Sequence, residues 1–541
     1  MKSNMRYDVQ AAQKCEKPGA GMIRAAGIVM AMTLLSRVVG MLRDSVNNGQ
    51  MGVGPESDAY RLAFRIPDLL MYLIAGGALA STFVPVFSEY LLKKNVTGAW
   101  RTFSIVATVT FVVAVAFVLV GEIWTPAFVR LVCHLHPPDA RFDLTVRLVR
   151  IVLPAQIFFL LGGLLMGVQN AHGKFLIPAL GPTIYNLGII CGALFLYHTG
   201  LGAAGIMWGA LLGAFVGNFG MQLLQVTKLG MQFRPNLDIW DTGARRVWQL
   251  LLPIVLGVSL PNVDQLINGY FSAVLPIGSV SNMDNAYRLM LIPIGIFAQA
   301  MSIAIFPTMS TYAAAGQRKE LRQTINKGLR SIVFLTAPSS ALLFLLGVPI
   351  ISILYQHHKF HASDTLNTMI PLHLLSLGIV AWSAQALLTR AFYSIRDSRT
   401  PVICGTVMTV LFITMSWFVV TFHPKDWGLA GLAMATTVAA SMHTAVLYLA
   451  LRRQLQGLLG RKMLLSVLST FLSTATLCLV TILLQSTIQR YFEPLHSTLN
   501  ALIVLLVAGS GGAFSFYVVA KALKMPEVAT VHALVGRLAT R

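Results

Sequence analysis

Acidic side chains are scarce in this chain. Of its 541 residues only 11% are charged, with 20 Asp and Glu against 41 Lys and Arg, whereas an ordinary soluble domain carries roughly 25% charged residues. With 56% hydrophobic residues there is too little polar surface to cover a soluble globule of this length. Cysteine is sparse too: Cys15, Cys133, Cys191, Cys404 and Cys478 stand apart from one another, which excludes a disulfide framework and a thiolate metal site. The one histidine cluster, His357, His358 and His361, has only Asp364 near it to complete a ligand set. It reads as a solvated turn rather than a metal site. The alternating pattern of barrel strands is missing, and no polar stretch between the apolar runs is long enough for a soluble catalytic domain.

Long apolar runs take their place. They recur from residue 22 almost to the C-terminus, and backbone groups in lipid must be satisfied within their own segment, so each run reads as a membrane-crossing helix. The sequence predicts an all-α polytopic membrane protein of about fourteen spans, at 22–48, 58–90, 102–132, 144–171, 177–199, 201–227, 246–274, 284–312, 329–355, 365–393, 401–421, 428–451, 463–485 and 498–520. The first twenty residues are polar, with Lys2, Arg6, Lys14 and Lys17, and no small-residue cleavage site follows them. A full-length first span is therefore expected in place of a cleaved signal.

The net charge of +21 follows membrane topology. With the N-terminus taken as cytoplasmic, the loops on the opposite side hold only Arg130, Arg141, Arg147, Arg150, Lys359, Lys425 and Arg490. Arg37, Arg43, Arg61, Arg65 and Arg288 fall within or at the edges of spans, and the other Lys and Arg lie in the tails, the remaining loops and the span ends that adjoin them. This bias predicts an even span count with both termini cytoplasmic. Charge spread over many separate loops without interleaved aromatics excludes a nucleic-acid partner.

The chain also repeats itself. Ala59-Tyr60-Arg61-Leu62 returns as Ala286-Tyr287-Arg288-Leu289, each followed by Ile-Pro at Pro67 and Pro293. The segment Phe83-Val84-Pro85 parallels Ile305-Phe306-Pro307, Pro178 parallels Pro401, and Gly202-Ala203-Ala204-Gly205 parallels Gly428-Leu429-Ala430-Gly431. Four matches in order at nearly constant offset make spans 1–6 and 7–12 two copies of one unit. Six is even, so the copies run parallel, as in carriers whose substrate site lies between two halves. The expected organisation is a tail at 1–21, an N-lobe at 22–230, a C-lobe at 245–453, two unduplicated spans at 462–522 and a tail at 523–541.

Within this frame the intramembrane charges carry the functional signal. Ser36-Arg37-Val38-Val39-Gly40-Met41-Leu42-Arg43-Asp44 and Ser57-Asp58-Ala59-Tyr60 place two arginines and two aspartates in or at the mouth of apolar runs. Each such charge costs roughly 2.5 to 3.5 kcal/mol at a helix centre, which argues for a polar cavity that handles a charged substrate.

These residues, with Phe64-Arg65-Ile66-Pro67, Gly77-Ala78-Leu79, Phe83-Val84-Pro85-Val86, Glu89-Tyr90, Tyr287-Arg288-Leu289-Met290 and Phe392-Tyr393-Ser394 through Thr400-Pro401, resemble the signature of the MurJ (MviN) lipid II flippases. The resemblance implies a fourteen-helix carrier of the MOP superfamily in the bacterial cytoplasmic (inner) membrane, performing no bond chemistry. It would move undecaprenyl-linked peptidoglycan precursor to the outer leaflet by alternating access. It further implies lipid II and membrane lipids as partners, contact with the cell-wall synthesis machinery, no cofactor beyond a membrane potential or ion gradient, and an apolar groove for the lipid tail at spans 13 and 14. Arg37, Arg43 and Arg288 match cavity arginines of the family and Asp58 its functional aspartate, while Asp44 is expected to orient Arg43. Met71 stands where many members have a further arginine, and Gly76 and Leu291 replace family glutamates. Arg61, which the repeat pairs with Arg288, either supplies the missing charge or anchors its helix at the headgroups; the three- and four-residue spacing puts Asp58, Arg61 and Arg65 on one helix face, so Arg61 faces the cavity if Asp58 does. The expected cavity set is thus Arg37, Arg43, Asp44, Asp58, Arg61, Arg65 and Arg288. The alternative reading is a MOP-type exporter of another polyprenyl-linked saccharide or of a drug. A drug exporter would want acidic groups in its cavity, and a membrane enzyme would need catalytic residues in its outer loops, where only Asp139, Asp143 and Glu493 are candidates.

Overall fold

The structure, a computed structural model, describes residues 20–74, 78–258, 263–424, 427–458, 460–491 and 498–528. All regular secondary structure among them is helical. Among the described residues, eleven helices are long and apolar enough to cross a membrane. Helical stretches also stand where spans 1, 2 and 7 are expected: Ala20–Met51, then Pro55–Ile74 with Ala78–Leu92, then Thr242–Val258 with Val263–Val274. The first of these carries Arg37, Arg43 and Asp44 inside its apolar run. The other two each include residues outside the described ones. Gly76 and the side chain of Met71 also lie outside the described residues, as does most of both tails.

The described residues pack as two units, one drawn from 1–44, 74–123 and 151–255, the other from 45–73, 124–150 and 256–541. The division falls within helices rather than between them, so the stretches 45–73 and 124–150 pack with the C-terminal helices.

The first unit is built around interlocked rings. Phe87 meets Trp100 edge-on at 5.5 Å, and Trp100 meets Phe103 at the same separation, a geometry that aligns ring edge with ring face. Its helix pair Leu176–Cys191 and Ala203–Gly213 crosses on glycines: a Cβ at Gly188 would stand 2.6 Å from the Cα of Gly213, and one at Gly209 would collide with the Gly188 carbonyl. Only residues without side chains let the backbones approach this closely in lipid, where packing replaces the hydrophobic drive.

In the second unit the long helix Ala362–Ser394 is the spine, packed by Arg318–Leu345, Gly428–Gln454 and Ser279–Pro293. Its buried stripe, Leu372, Leu375, Ile379, Leu387 and Phe392, lies in the main apolar core. The helix Ser279–Pro293 runs into a wider turn at Ile294–Gln299 before continuing as Ala300–Ala314. Pro293 brings no N–H to the helical ladder, and the extra residue in the turn accommodates that loss. Helices Arg461–Tyr491 and Thr498–Ala522 pack on each other and on Arg318–Leu345, with Leu468, Leu472, Leu479, Leu506 and Phe514 among their exposed residues.

Candidate functional site

Three arginines converge on a carboxylate within the second unit. Helix Pro55–Ile74 presents Arg61 and Arg65 one turn apart, and helix Ser279–Pro293 presents Asp284 and Arg288 with the same spacing. Arg61 Nη1 donates to Asp284 Oδ2 at 2.7 Å and Arg288 Nε to the same oxygen at 2.8 Å, while Arg65 Nη2 stands 3.6 Å from Oδ1. The Arg61 side chain is 7% exposed, Arg65 12%, Asp284 15% and Arg288 39%. The second guanidinium nitrogen of Arg61 donates to Asn48 Oδ1 at 2.7 Å and to Asn285 Oδ1 at 2.9 Å. Asn48 Nδ2 in turn donates to Asn285 Oδ1 at 2.9 Å. Asp68 lies within electrostatic reach of Arg65, Arg288 and Asp284.

A headgroup anchor would extend its charge toward water, whereas Arg61 is buried and bound on both forks. Planar guanidinium groups make two-pronged hydrogen bonds to carboxylate or phosphate. Removing one partner from a buried pair costs about 3 to 5 kcal/mol, so the cluster holds together as a set.

Asp58, on the same helix as Arg61, sits against the start of helix Ser279–Pro293. Its side chain is fully buried and accepts from Gly278 N at 2.7 Å, Ser281 N at 2.9 Å and Ser281 Oγ at 2.7 Å. A carboxylate there satisfies first-turn N–H groups and meets the positive end of the helix dipole. Arg141 Nη1 approaches Asp58 to 3.4 Å and Nη2 donates to the Ala273 carbonyl at 2.8 Å. Arg141 also binds Asp139, Nη2 to Oδ2 at 2.7 Å, and this bond holds the Asp139 carboxyl below the usual carboxylate range. Nearby, the loop after Tyr355 docks on the end of helix Ala20–Met51: Lys359 N donates to Gly49 O at 2.9 Å, and His357 Nε2 lies 2.9 Å from Ser45 O. A carbonyl can only accept, so Nε2 carries the proton, and burial pushes this imidazole below its ordinary pKa.

The remaining expected residues lie in the first unit. Arg43 donates through Nε and Nη2 to Asp44 Oδ1 at 2.9 and 2.6 Å, and through Nη1 to Asn186 Oδ1 at 2.9 Å. Asp44 and Asn186 thus fix the guanidinium plane between them. Arg37, two turns earlier, is exposed.

Several residues of these sites were not singled out in the sequence. Asp284 is the centre of the arginine cluster, and its signal was present: an aspartate four residues before Arg288 within an apolar run. Asn48, Asn285, Arg141 and Ser281 gave no comparable signal, because polar residues near a span end are ordinary and only their partners from distant segments give them meaning.

Long apolar helices with paired arginine and aspartate in their interior define a polytopic membrane carrier. The fold agrees with solved carriers: it is similar to an inward-facing MATE family transporter of the MOP superfamily, with a TM-score of 0.66 at 14% identity, covering 79% of this chain and 98% of that one. It is also similar to a lipid II flippase MurJ in an inward closed conformation, with a TM-score of 0.73 at 22% identity over 92% of this chain and 99% of that one. The family model described as lipid II flippase MurJ matches residues 48–503. Curated relatives include the lipid II flippase MurJ of Burkholderia cenocepacia, 30% identical over 445 residues covering 80% of this chain and 84% of the relative. The probable lipid II flippase MurJ of Vibrio cholerae is 28% identical over 442 residues, 80% of this chain and 83% of that protein. The chain belongs to the MurJ family of lipid II flippases.

Proposed function

We propose that this member of the family carries lipid II from the inner to the outer leaflet of the cytoplasmic membrane by alternating access, without bond chemistry, and that Arg61, Arg65 and Arg288 take the diphosphate. The observation that carries the site is the convergence of three guanidinium groups from two helices on one acidic partner. A diphosphate offers pairs of oxygen acceptors to the same guanidinium forks, with more charge. Arg43, oriented by Asp44 and Asn186, and the exposed Arg37 act as further phosphate contacts. Asp58 keeps its end of the second unit closed by capping helix Ser279–Pro293. Both termini face the cytoplasm, a reading supported by the loop charge bias, and helices Arg461–Tyr491 and Thr498–Ala522 offer the polyprenyl tail an apolar surface. Delivery of lipid II to the cell-wall synthesis machinery completes the same reading.

The test is complementation of a strain depleted of its own lipid II flippase. Wild-type protein should restore growth, while Arg61→Ala and Arg288→Ala should not, at equal membrane abundance. Arg288→Lys should rescue partly, since a point charge cannot reproduce the guanidinium fork. Normal growth with both alanine variants would remove the proposed diphosphate site.

A further inference from the structure

The cluster contains its own competitor for the substrate. Resting on the reading that these arginines bind the diphosphate, we infer that Asp284 is their resident counter-ion: it gathers Arg61, Arg65 and Arg288 while no diphosphate is bound and yields them when one arrives, so that it sets the balance between capture and release.

The geometry supports this in three ways. First, both oxygens of Asp284 are engaged, Oδ2 by Arg61 and Arg288 and Oδ1 by Arg65. One carboxylate therefore occupies the donors that a phosphate would use. Second, three guanidinium groups this close repel one another in a medium of low polarity, and Asp284, which is paired with all three while Asp68 reaches only Arg65 and Arg288, is the anion that holds them gathered. Third, the two helices contribute unequally. Arg61 is locked from behind by Asn48 and Asn285, whereas Arg288 is the most exposed member at 39%. An incoming anion meets Arg288 first and can draw it from Asp284 while Arg61 still holds the carboxylate in place. Asp284 and Arg288 lie one helical turn apart, so the exchange needs only side-chain rotation. On release the carboxylate recovers its arginines, which lowers the affinity that would otherwise trap a doubly charged headgroup.

The experiment measures binding of undecaprenyl diphosphate, with undecaprenyl phosphate as control, to the purified full-length protein in detergent, alongside flipping rates in proteoliposomes. Asp284→Asn should bind the diphosphate about tenfold more tightly, the effect of one unit charge removed a few ångströms away under partial screening. It should also turn over more slowly, so that KM and kcat fall together. Asp284→Glu, which restores the charge on a longer arm, should return binding most of the way to the wild-type value, a rescue that a purely packing role would not give. Unchanged or weaker binding by Asp284→Asn, with Arg288→Ala weakened, would overturn the counter-ion role and leave the diphosphate site standing. Unchanged binding by both Arg61→Ala and Arg288→Ala would instead overturn the site itself. Should Asp284→Asn fail to insert, difference infrared spectroscopy on the wild-type protein carries the test. Adding undecaprenyl diphosphate should shift a carboxylate band that is displaced in Asp284→Glu, and a band that does not move refutes the exchange.

Discussion

Replacing Asp58 by asparagine tests whether the cap on helix Ser279–Pro293 holds that part of the molecule closed. Oδ2 of the wild-type carboxylate accepts from Gly278 N and Oδ1 accepts from Ser281 N and Oγ. An asparagine offers an acceptor on one side only, so its NH2 must face either the Gly278 or the Ser281 donor. Leaving one buried N–H without an acceptor costs about 1 to 3 kcal/mol, and losing the negative charge at the helix start adds about 0.3 to 1 kcal/mol. Arg141 keeps Asp139 and the Ala273 carbonyl, so no stranded guanidinium adds to the cost. The total of about 1.3 to 4 kcal/mol corresponds to a roughly 8- to 700-fold rise in the opened population, at about 1.4 kcal/mol per factor of ten. Ser57 reports on the opening, because it is fully buried and its Oγ lies 2.8 Å from Ser281 Oγ. With the native cysteines replaced, maleimide labelling of Ser57→Cys in purified protein should accelerate by that factor when Asp58→Asn is added. Labelling rates within threefold of each other would refute the cap as the closing contact.

Other tests address neighbouring features. Gly278→Ala should lower the melting midpoint in detergent, since φ is +94° there and the left-handed conformation costs a residue with a side chain about 1 to 2 kcal/mol. The added Cβ would also stand 2.8 Å from Val53 Cγ1, so Val53→Ala should restore part of the loss and no more; full restoration would show that φ is not strained. The depressed Asp139 carboxyl contributes stability that is present above its unfolded pKa of about 3.9 and lost as pH falls through the lower folded value. Melting of wild type and Asp139→Asn should therefore differ by a constant amount from pH 7 to pH 5 and converge only below about pH 4, and a difference that vanishes near neutrality would contradict the ion pair. Return of an empty arginine site toward the cytoplasm moves positive charge through the membrane field, worth about 2.3 kcal/mol per charge per 100 mV over the full field. Flipping should slow when the potential is collapsed at constant proton gradient, and an unchanged rate would favour a cycle driven by an ion or by substrate alone.

The sequence by itself determined the helical membrane architecture, because a run of apolar residues with no strand alternation has one way to satisfy its backbone in lipid. It also marked Arg61, Arg65 and Arg288 as charges worth explaining, since an ionisable group in such a run is too costly to be incidental. Spacing placed Asp58, Arg61 and Arg65 on one face of a helix but could not say what that face meets. Only the tertiary structure decided that Arg61 and Arg65 turn to Asp284 while Asp58 caps the helix that carries it. The partners of a buried charge lie more than two hundred residues away along the chain, and periodicity carries no information over that distance. Asn48 and Asn285 acquire their roles in the same way, from the segment each is packed against, and so does Arg141 in reaching Asp58 and the Ala273 carbonyl, although its bond to Asp139 is local.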